Sequence, residues 1–175
     1  MTEISAEVTR RNEHLRADVG DFTIWQFVTR GLGRWTASAG PPTVCVKVSP
    51  VDFGRFAPSY DDGAHAVITR TRSYSAESLD PKIKHFSRMN FNLADLETSD
   101  VDPEAYPILT DLNGNLTEGT TNNVFLVTDG VIRTSPDNDI LQGVSRGMVL
   151  DLAAQLDIPL VEEDIQPYDL YTADE

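Results

Sequence analysis

Thr117-Glu118-Gly119-Thr120-Thr121-Asn122-Asn123 decides the fold of this chain, because it lies between two predicted β-hairpins. The first hairpin is predicted around Asn113-Gly114, a residue pair that favours the tight turn between antiparallel strands. The second is predicted around Asp129-Gly130, with apolar runs at 123–127 and 131–133 on either side. The sequence therefore places the polar stretch 117–123 on a strand and the turn that follows it.

An amphipathic helix is predicted after this β-region, from about residue 144 to residue 156. It opens with Leu141-Gln142-Gly143-Val144-Ser145-Arg146 and carries Met148, Leu152 and Leu156 on one apolar face. Gly143 allows close approach of the backbone at the point where the helix begins.

The other elements follow from the same patterns of apolar residues. They are a polar helix at 5–18, strands at 22–28, 44–48, 64–74 and 159–165, a loop at 50–63, a connection at 75–78, a helix at 84–97 and the start of a helix in the last ten residues. Together they predict a mixed α/β (α+β) fold in two domains, residues 1–75 and 76–175.

Composition excludes several classes of function. The net charge of −14 argues against a nucleic-acid partner, because phosphate contacts need clustered Lys and Arg. No stretch has the roughly 18 apolar residues of a membrane span. The single cysteine, Cys45, cannot form an intrachain disulfide, which favours a reducing, cytoplasmic location. Its thiol is expected to be buried and inert. No metal site is predicted, and any site for an anion must be built from backbone amides and a few cations.

Lys84 is the candidate nucleophile. It lies in Leu79-Asp80-Pro81-Lys82-Ile83-Lys84-His85-Phe86-Ser87-Arg88, where Ile83 and Phe86 are expected to desolvate it. Desolvation favours the neutral amine, which is the form that attacks an aldehyde. Spacing alone does not separate Lys84 from Lys82.

Two further groups complete the candidate site. Glu118 is either an exposed turn residue or a carboxylate that pairs with a ring nitrogen, and Asn122 and Asn123 are expected to fix the turn that follows it. The backbone amides of Val144 and Ser145 begin a helix, where they suit a phosphate, unless Ser145 simply caps that helix. An amine, a carboxylate and an anion-binding helix start are the groups that a pyridoxal phosphate enzyme needs.

The three segments resemble the class IV aminotransferases, which include branched-chain and D-amino-acid aminotransferases and aminodeoxychorismate lyase. The matching motifs are the lysine motif around Lys84, E-G-x-x-x-N at residues 118–123 and L-x-G-[IV]-[ST]-R at residues 141–146. The resemblance runs from about Asp21 to the last residue. It implies a small domain that is incomplete and a large domain that lacks its C-terminal strand, so the chain is expected to be truncated at both ends.

The resemblance also implies roles for individual residues and a reaction. Lys84 would form a Schiff base with pyridoxal 5′-phosphate, Glu118 would pair with the pyridine nitrogen, and Leu141 would pack on the ring. Val144 and Ser145 would hold the phosphate, and Arg30 would contact a substrate carboxylate.

The implied reaction is transfer of an amino group between an amino acid (branched-chain-like) or amine and a 2-oxo acid, by a homodimer when full length. Lys84-His85-x-x-Arg88 is closer to the lyase branch, so release of pyruvate from aminodeoxychorismate is the alternative. A third hypothesis is that the chain is a catalytically silent fragment of such an enzyme.

Overall fold

A computed structural model describes residues 1–16, 20–31 and 40–175. The chain divides into two compact units, Met1–Gly63 and Ala64–Glu175. The domain boundary between residues 75 and 76 stays a prediction about the larger protein. Among the described helices, none is long and apolar enough to cross a membrane.

The first unit is built on one antiparallel strand pair. Strand β1 (Phe22–Thr29) pairs with β2 (Thr43–Pro50), so that Phe22 lies opposite Pro50. The sequence predicted both strands, at 22–28 and 44–48, but not their pairing. Helix α1 (Thr2–Arg11) and a 3-10 turn (Glu13–Arg16) precede β1, where the sequence predicted a single helix at 5–18. The last two residues of that predicted helix lie outside the described ranges.

A second difference in this unit lies between residues 50 and 63. The predicted loop contains a 3-10 turn (Phe53–Phe56) and helix α2 (Ala57–Asp62), because Pro58 is tolerated in the first turn of a helix. Cys45, on β2, is a free thiol that is half-buried, not fully buried as expected.

Two three-stranded sheets form the second unit. In one sheet, β3 (Ala66–Arg72) runs parallel to β4 (Tyr106–Thr110), and β4 is antiparallel to β5 (Leu116–Gly119). In the other sheet, β7 (Val131–Thr134) lies between β6 (Phe125–Thr128), which is antiparallel to it, and β8 (Leu160–Glu162), which is parallel.

Three helices connect or follow these strands. Helix α3 (Met89–Val101) connects the parallel strands of the first sheet, and α4 (Val144–Gln155) those of the second. A short helix, α5 (Pro167–Thr172), follows β8. Parallel neighbours need such crossovers, so the fold is the mixed α/β arrangement that the sequence predicted.

Local turn chemistry explains why both predicted hairpins form. Gly114 has φ +94°, and the Asp111 carboxylate accepts hydrogen bonds from the N–H groups of Asn113 and Asn115, each at 2.8 Å. In the β6–β7 turn, Asp129 and Gly130 both have positive φ, as a two-residue hairpin turn with the right-handed twist of the strands requires.

Strand β4 separates two apolar clusters, because successive side chains of a strand point to opposite faces. Ile108 packs with Leu116, Leu126 and Ile165, all of them buried. The next residue, Leu109, packs with Phe91 and Ala94 of α3. Strand β5, which carries Glu118, is therefore held against the core.

The structure differs from the sequence predictions at two helices. Helix α3 begins at Met89, five residues later than predicted, so Lys84 lies on a loop. The residues that α4 buries are Arg146 and Ala153, whereas Met148, Leu152 and Leu156 on its apolar face are each at least half exposed. Apolar spacing identified that helix but not the side that faces the protein.

Candidate active site

A cavity of about 780 Å³ in the second unit brings together three segments that are distant in the sequence. Lys84, Glu118, Leu141, Val144 and Ser145, the five candidates of this unit, all line it. The other lining residues are Arg88, Gly119, Thr120, Thr121, Asn122, Asn123, Phe125, Gln142, Gly143, Arg146 and Val149. The sixth candidate, Arg30, directly follows β1 in the first unit.

Glu118 is a buried carboxylate in the wall of this cavity, with 5% of its surface exposed. The N–H of Leu141 donates to both carboxylate oxygens, at 3.3 Å each. Burial raises the pKa of Glu118 to about 7, although the Leu141 N–H and the charges of Arg88 and Lys84 oppose that rise. Within the described ranges, no Lys or Arg nitrogen lies within 4.0 Å of this carboxylate.

The segment after Glu118 is a tight turn that is held by its asparagines. Glu118 pairs with Asn123 as an isolated bridge, and the N–H of Gly119 donates to the Asn122 carbonyl at 2.8 Å. A Cβ at position 119 would collide with the side-chain amide of Asn122, so a larger residue there would force that amide to move. Asn123 Nδ2 donates to the Leu141 carbonyl at 2.9 Å, which ties the turn to the segment before α4.

The first turn of α4 presents backbone donors to the cavity. Gly143, the N-cap residue, has φ +62°, and a Cβ there would collide with Asn123 Oδ1. The N–H groups of Val144, Ser145 and Arg146 have no acceptor among the described residues. The cap position belongs to Gly143 and no side chain caps the helix, so Ser145 is not the N-cap residue. These donors and the helix dipole favour an anion.

The loop that carries Lys84 is fixed at its far end. The Tyr74 hydroxyl donates to the Ser87 carbonyl at 2.6 Å, and the Tyr74 ring lies against His85 with the ring centroids 5.5 Å apart. Arg88 Nη2 donates to the Thr120 carbonyl at 2.6 Å. These contacts place Lys84 beside the turn that follows Glu118.

The structure corrects one expectation about Lys84 and separates it from its competitor. Ile83 and Phe86 are 53% and 69% exposed, so the expectation that they desolvate Lys84 was wrong. Their side chains lie on a loop and not on the packed face of a helix. Lys82 is not among the residues described as lining the cavity, and its Nζ lies 3.7 Å from Asp80 Oδ1.

Sequence reasoning did not select Arg88 as a site residue. Its guanidinium carbon lies 4.0 Å from the centroid of the Phe91 ring. Its positive charge acts to lower the pKa of Glu118, against the larger effect of burial. The signal in the sequence was its position four residues after Lys84, but only the three-dimensional contacts place it in the cavity wall.

Comparisons with known proteins agree with this geometry. A sequence profile described as Amino-transferase class IV matches residues 1–175, which is the whole chain. The chain belongs to the class IV aminotransferase family. A Methanocaldococcus jannaschii protein, provisionally named a branched-chain-amino-acid aminotransferase, is 33% identical to it over 181 residues. That alignment covers 100% of this chain and 59% of the relative.

Solved structures show the class IV aminotransferase fold in this chain. The Escherichia coli branched-chain amino acid aminotransferase superposes with a TM-score of 0.87 at 23% identity, covering 99% of this chain and 57% of that one. The branched-chain amino acid aminotransferase from Thermobaculum terrenum, in its PLP form, gives a TM-score of 0.80 at 23% identity, covering 99% and 55%. The chain thus spans a little over half the length of the relatives that it matches.

Proposed function

We propose that this chain is the cofactor-holding part of a pyridoxal-phosphate-dependent aminotransferase. The reaction is transfer of an amino group between an amino acid, of the branched-chain type, or an amine and a 2-oxo acid. One observation carries the proposal. A single cavity is lined by Lys84, by the buried Glu118 and by the start of α4, whose first amides have no acceptor among the described residues.

Glu118 fits the pyridine nitrogen of the cofactor. A buried carboxylate whose pKa is about 7 and that has no cation within 4.0 Å in the described structure needs a positively charged partner to stay ionised. A protonated ring nitrogen would supply that partner. Glu118 would in turn hold the proton on the nitrogen, and Leu141, whose N–H bonds the same carboxylate, would lie against the ring.

The start of α4 fits the phosphate group. The N–H groups of Val144 and Ser145 are donors without acceptors in the described structure, and Gly143 allows their close approach. A bound phosphate at a helix start contributes on the order of 1 kcal/mol through the dipole, in addition to its charge-assisted hydrogen bonds.

Lys84 would act at the reacting carbon. When bound, pyridoxal phosphate supplies an electron-withdrawing ring that stabilises negative charge on the neighbouring carbon. Lys84 Nζ would hold the cofactor through a Schiff base and would take the proton from the substrate Cα. The loop contacts at Ser87 and Arg88 would keep Nζ on that side of the cavity.

Three further assignments belong to the intact protein. Arg30, which directly follows β1, is proposed to bind a substrate carboxylate, because it matches a position that contacts substrate carboxylates in some class IV aminotransferases. A homodimer in the cytoplasm is proposed for the full-length form, and the free Cys45 thiol suits a reducing compartment.

The test is amino-group transfer by the full-length protein, measured with a panel of amino donors and a 2-oxo acid acceptor. Lys84→Ala should abolish transfer, and Lys82→Ala should leave it unchanged. If Lys84→Ala turned over as fast as the unsubstituted full-length protein, Lys84 would not be the catalytic lysine.

The lyase alternative is supported by the Lys84-His85-x-x-Arg88 pattern. His85 and Arg88 line a second, smaller cavity together with Lys84. Release of pyruvate from aminodeoxychorismate without an added amino acceptor would favour the lyase. If the protein did not bind pyridoxal phosphate at all, the hypothesis of a catalytically silent fragment would be favoured.

A further inference from the structure

Arg146 is a buried cation behind the amides of the α4 start. It is the third residue of α4, only 3% of its surface is exposed, and it lines the same cavity as Val144 and Ser145. A buried guanidinium is costly unless its charge is compensated, so both its partners and its surroundings matter.

The hydrogen bonds of Arg146 leave part of its charge uncompensated. Nη2 donates to the Ser135 carbonyl at 2.9 Å and to Glu162 Oε2 at 2.5 Å. Nε is buried and has no hydrogen-bond partner among the residues that the structure describes. The Glu162 side chain is 41% exposed, whereas that of Arg146 is 3% exposed, so water screens the negative charge much more than the positive one.

We infer that Arg146 makes this end of the cavity selective for a dianionic phosphate ester over an uncharged group, by its charge and not only by tethering α4 to β8. The inference rests on the proposed function, because it names the charge that selects the phosphorylated cofactor. It also explains how a chain of net charge −14 can hold a phosphate, since a local buried cation opposes the general repulsion of anions.

A purely structural role for Arg146 is the competing explanation. The two explanations predict opposite effects on phosphate binding when the Glu162 carboxylate is removed. If Arg146 is only a tether, removing either partner loosens the start of α4 and weakens every ligand. If its charge matters, removing the Glu162 carboxylate leaves the cation less compensated, so phosphate should bind more tightly.

Two measurements on the chain separate these explanations. Binding of inorganic phosphate is followed by the amide NMR shifts of Val144 and Ser145. Binding of pyridoxal phosphate and of pyridoxal is followed by calorimetry. The variants are Arg146→Gln, Arg146→Lys and Glu162→Gln, where the Gln amide of the last can still accept the bond from Nη2.

We expect Arg146→Gln to reduce the preference for pyridoxal phosphate over pyridoxal by about tenfold, equivalent to about 1.4 kcal/mol, with pyridoxal binding unchanged. Arg146→Lys should keep most of the preference, and Glu162→Gln should tighten inorganic phosphate. Glu162→Gln decides the question alone if Arg146→Gln does not fold.

Three results would overturn the inference. They are equal weakening of both ligands by Arg146→Gln, weaker phosphate binding by Glu162→Gln, and a parent chain that binds neither phosphate nor pyridoxal phosphate. Failure of the proposed function is distinguishable, because the NMR measurement with inorganic phosphate does not involve the cofactor. A chain that binds phosphate, with the expected effect of each variant, but does not bind pyridoxal phosphate contradicts the proposed function alone.

Discussion

Replacing Glu118 with Gln should stabilise the cofactor-free chain at alkaline pH. Burial raises the pKa of Glu118 from 4.5 to about 7 in the folded chain, because the ionised form loses its hydration inside the protein. The protonated form is therefore favoured by folding. Its contribution to stability is fully present below pH 4.5 and is lost as the pH rises through about 7.

The size of this effect follows from the pKa. At about 1.4 kcal/mol per pKa unit, a rise from 4.5 to about 7 corresponds to about 3 kcal/mol of unfolding free energy. Glutamine cannot ionise, and its oxygen can still accept the Leu141 N–H. The variant and the parent should therefore be about equally stable at pH 4.5, and the variant should be more stable by up to about 3 kcal/mol at pH 8.

Urea unfolding of the cofactor-free chain at several pH values measures this difference. Glu97→Gln is the matched control of opposite sign. Burial would raise the pKa of Glu97, but hydrogen bonds from the N–H groups of Arg70 and Thr71 lower it overall. Glu97→Gln should therefore destabilise the chain at neutral pH. A stability difference between Glu118→Gln and the parent that does not change between pH 4.5 and pH 8 would refute the reasoning.

Two other predictions concern glycines. Gly143→Ala should cost about 2–3 kcal/mol of stability, because φ is +62° and a Cβ displaces Asn123 from its bond to Leu141, and cofactor binding should weaken with it. Its control is Gly130→Ala, where φ is +76° but an added Cβ would meet no described residue within 4 Å apart from its chain neighbours. This variant should cost only about 1–2 kcal/mol and leave calorimetric cofactor binding unchanged. Equal loss of binding in both variants would contradict the role of Gly143. Gly147 lies within α4, and a Cβ added there would meet no described atom within 4 Å beyond its own helix backbone and chain neighbours. Gly147→Ala should therefore raise the free energy of unfolding, measured in urea, by about 0.5–1 kcal/mol. A free energy of unfolding below that of the parent would contradict this prediction.

The sequence predicted those parts of the fold that local chemistry determines. Asn113-Gly114 and Asp129-Gly130 identified both hairpins, because their backbone angles need residues that tolerate positive φ. The five candidates of the second unit were also found from short motifs, and they line one cavity.

The rest of the site depends on contacts between distant residues. Helix α3 starts at Met89 and not at residue 84, and contacts across the chain hold the segment before it, namely the bonds from Tyr74 to Ser87 and from Arg88 to Thr120. The choice between Lys82 and Lys84 depended on the path of that loop. The spacing of residues within a short segment does not reveal contacts with residues that are distant in the sequence.

Labelling with reduced pyridoxal phosphate tests the central claim most directly, because the chain contains only three lysines, Lys47, Lys82 and Lys84. The cofactor is added to the chain, borohydride fixes any lysine–cofactor bond, and peptide mapping locates the label. The label should be found on Lys84, should disappear in Lys84→Ala and should persist in Lys82→Ala. A label on Lys82, or one shared evenly among the three lysines, would contradict the account.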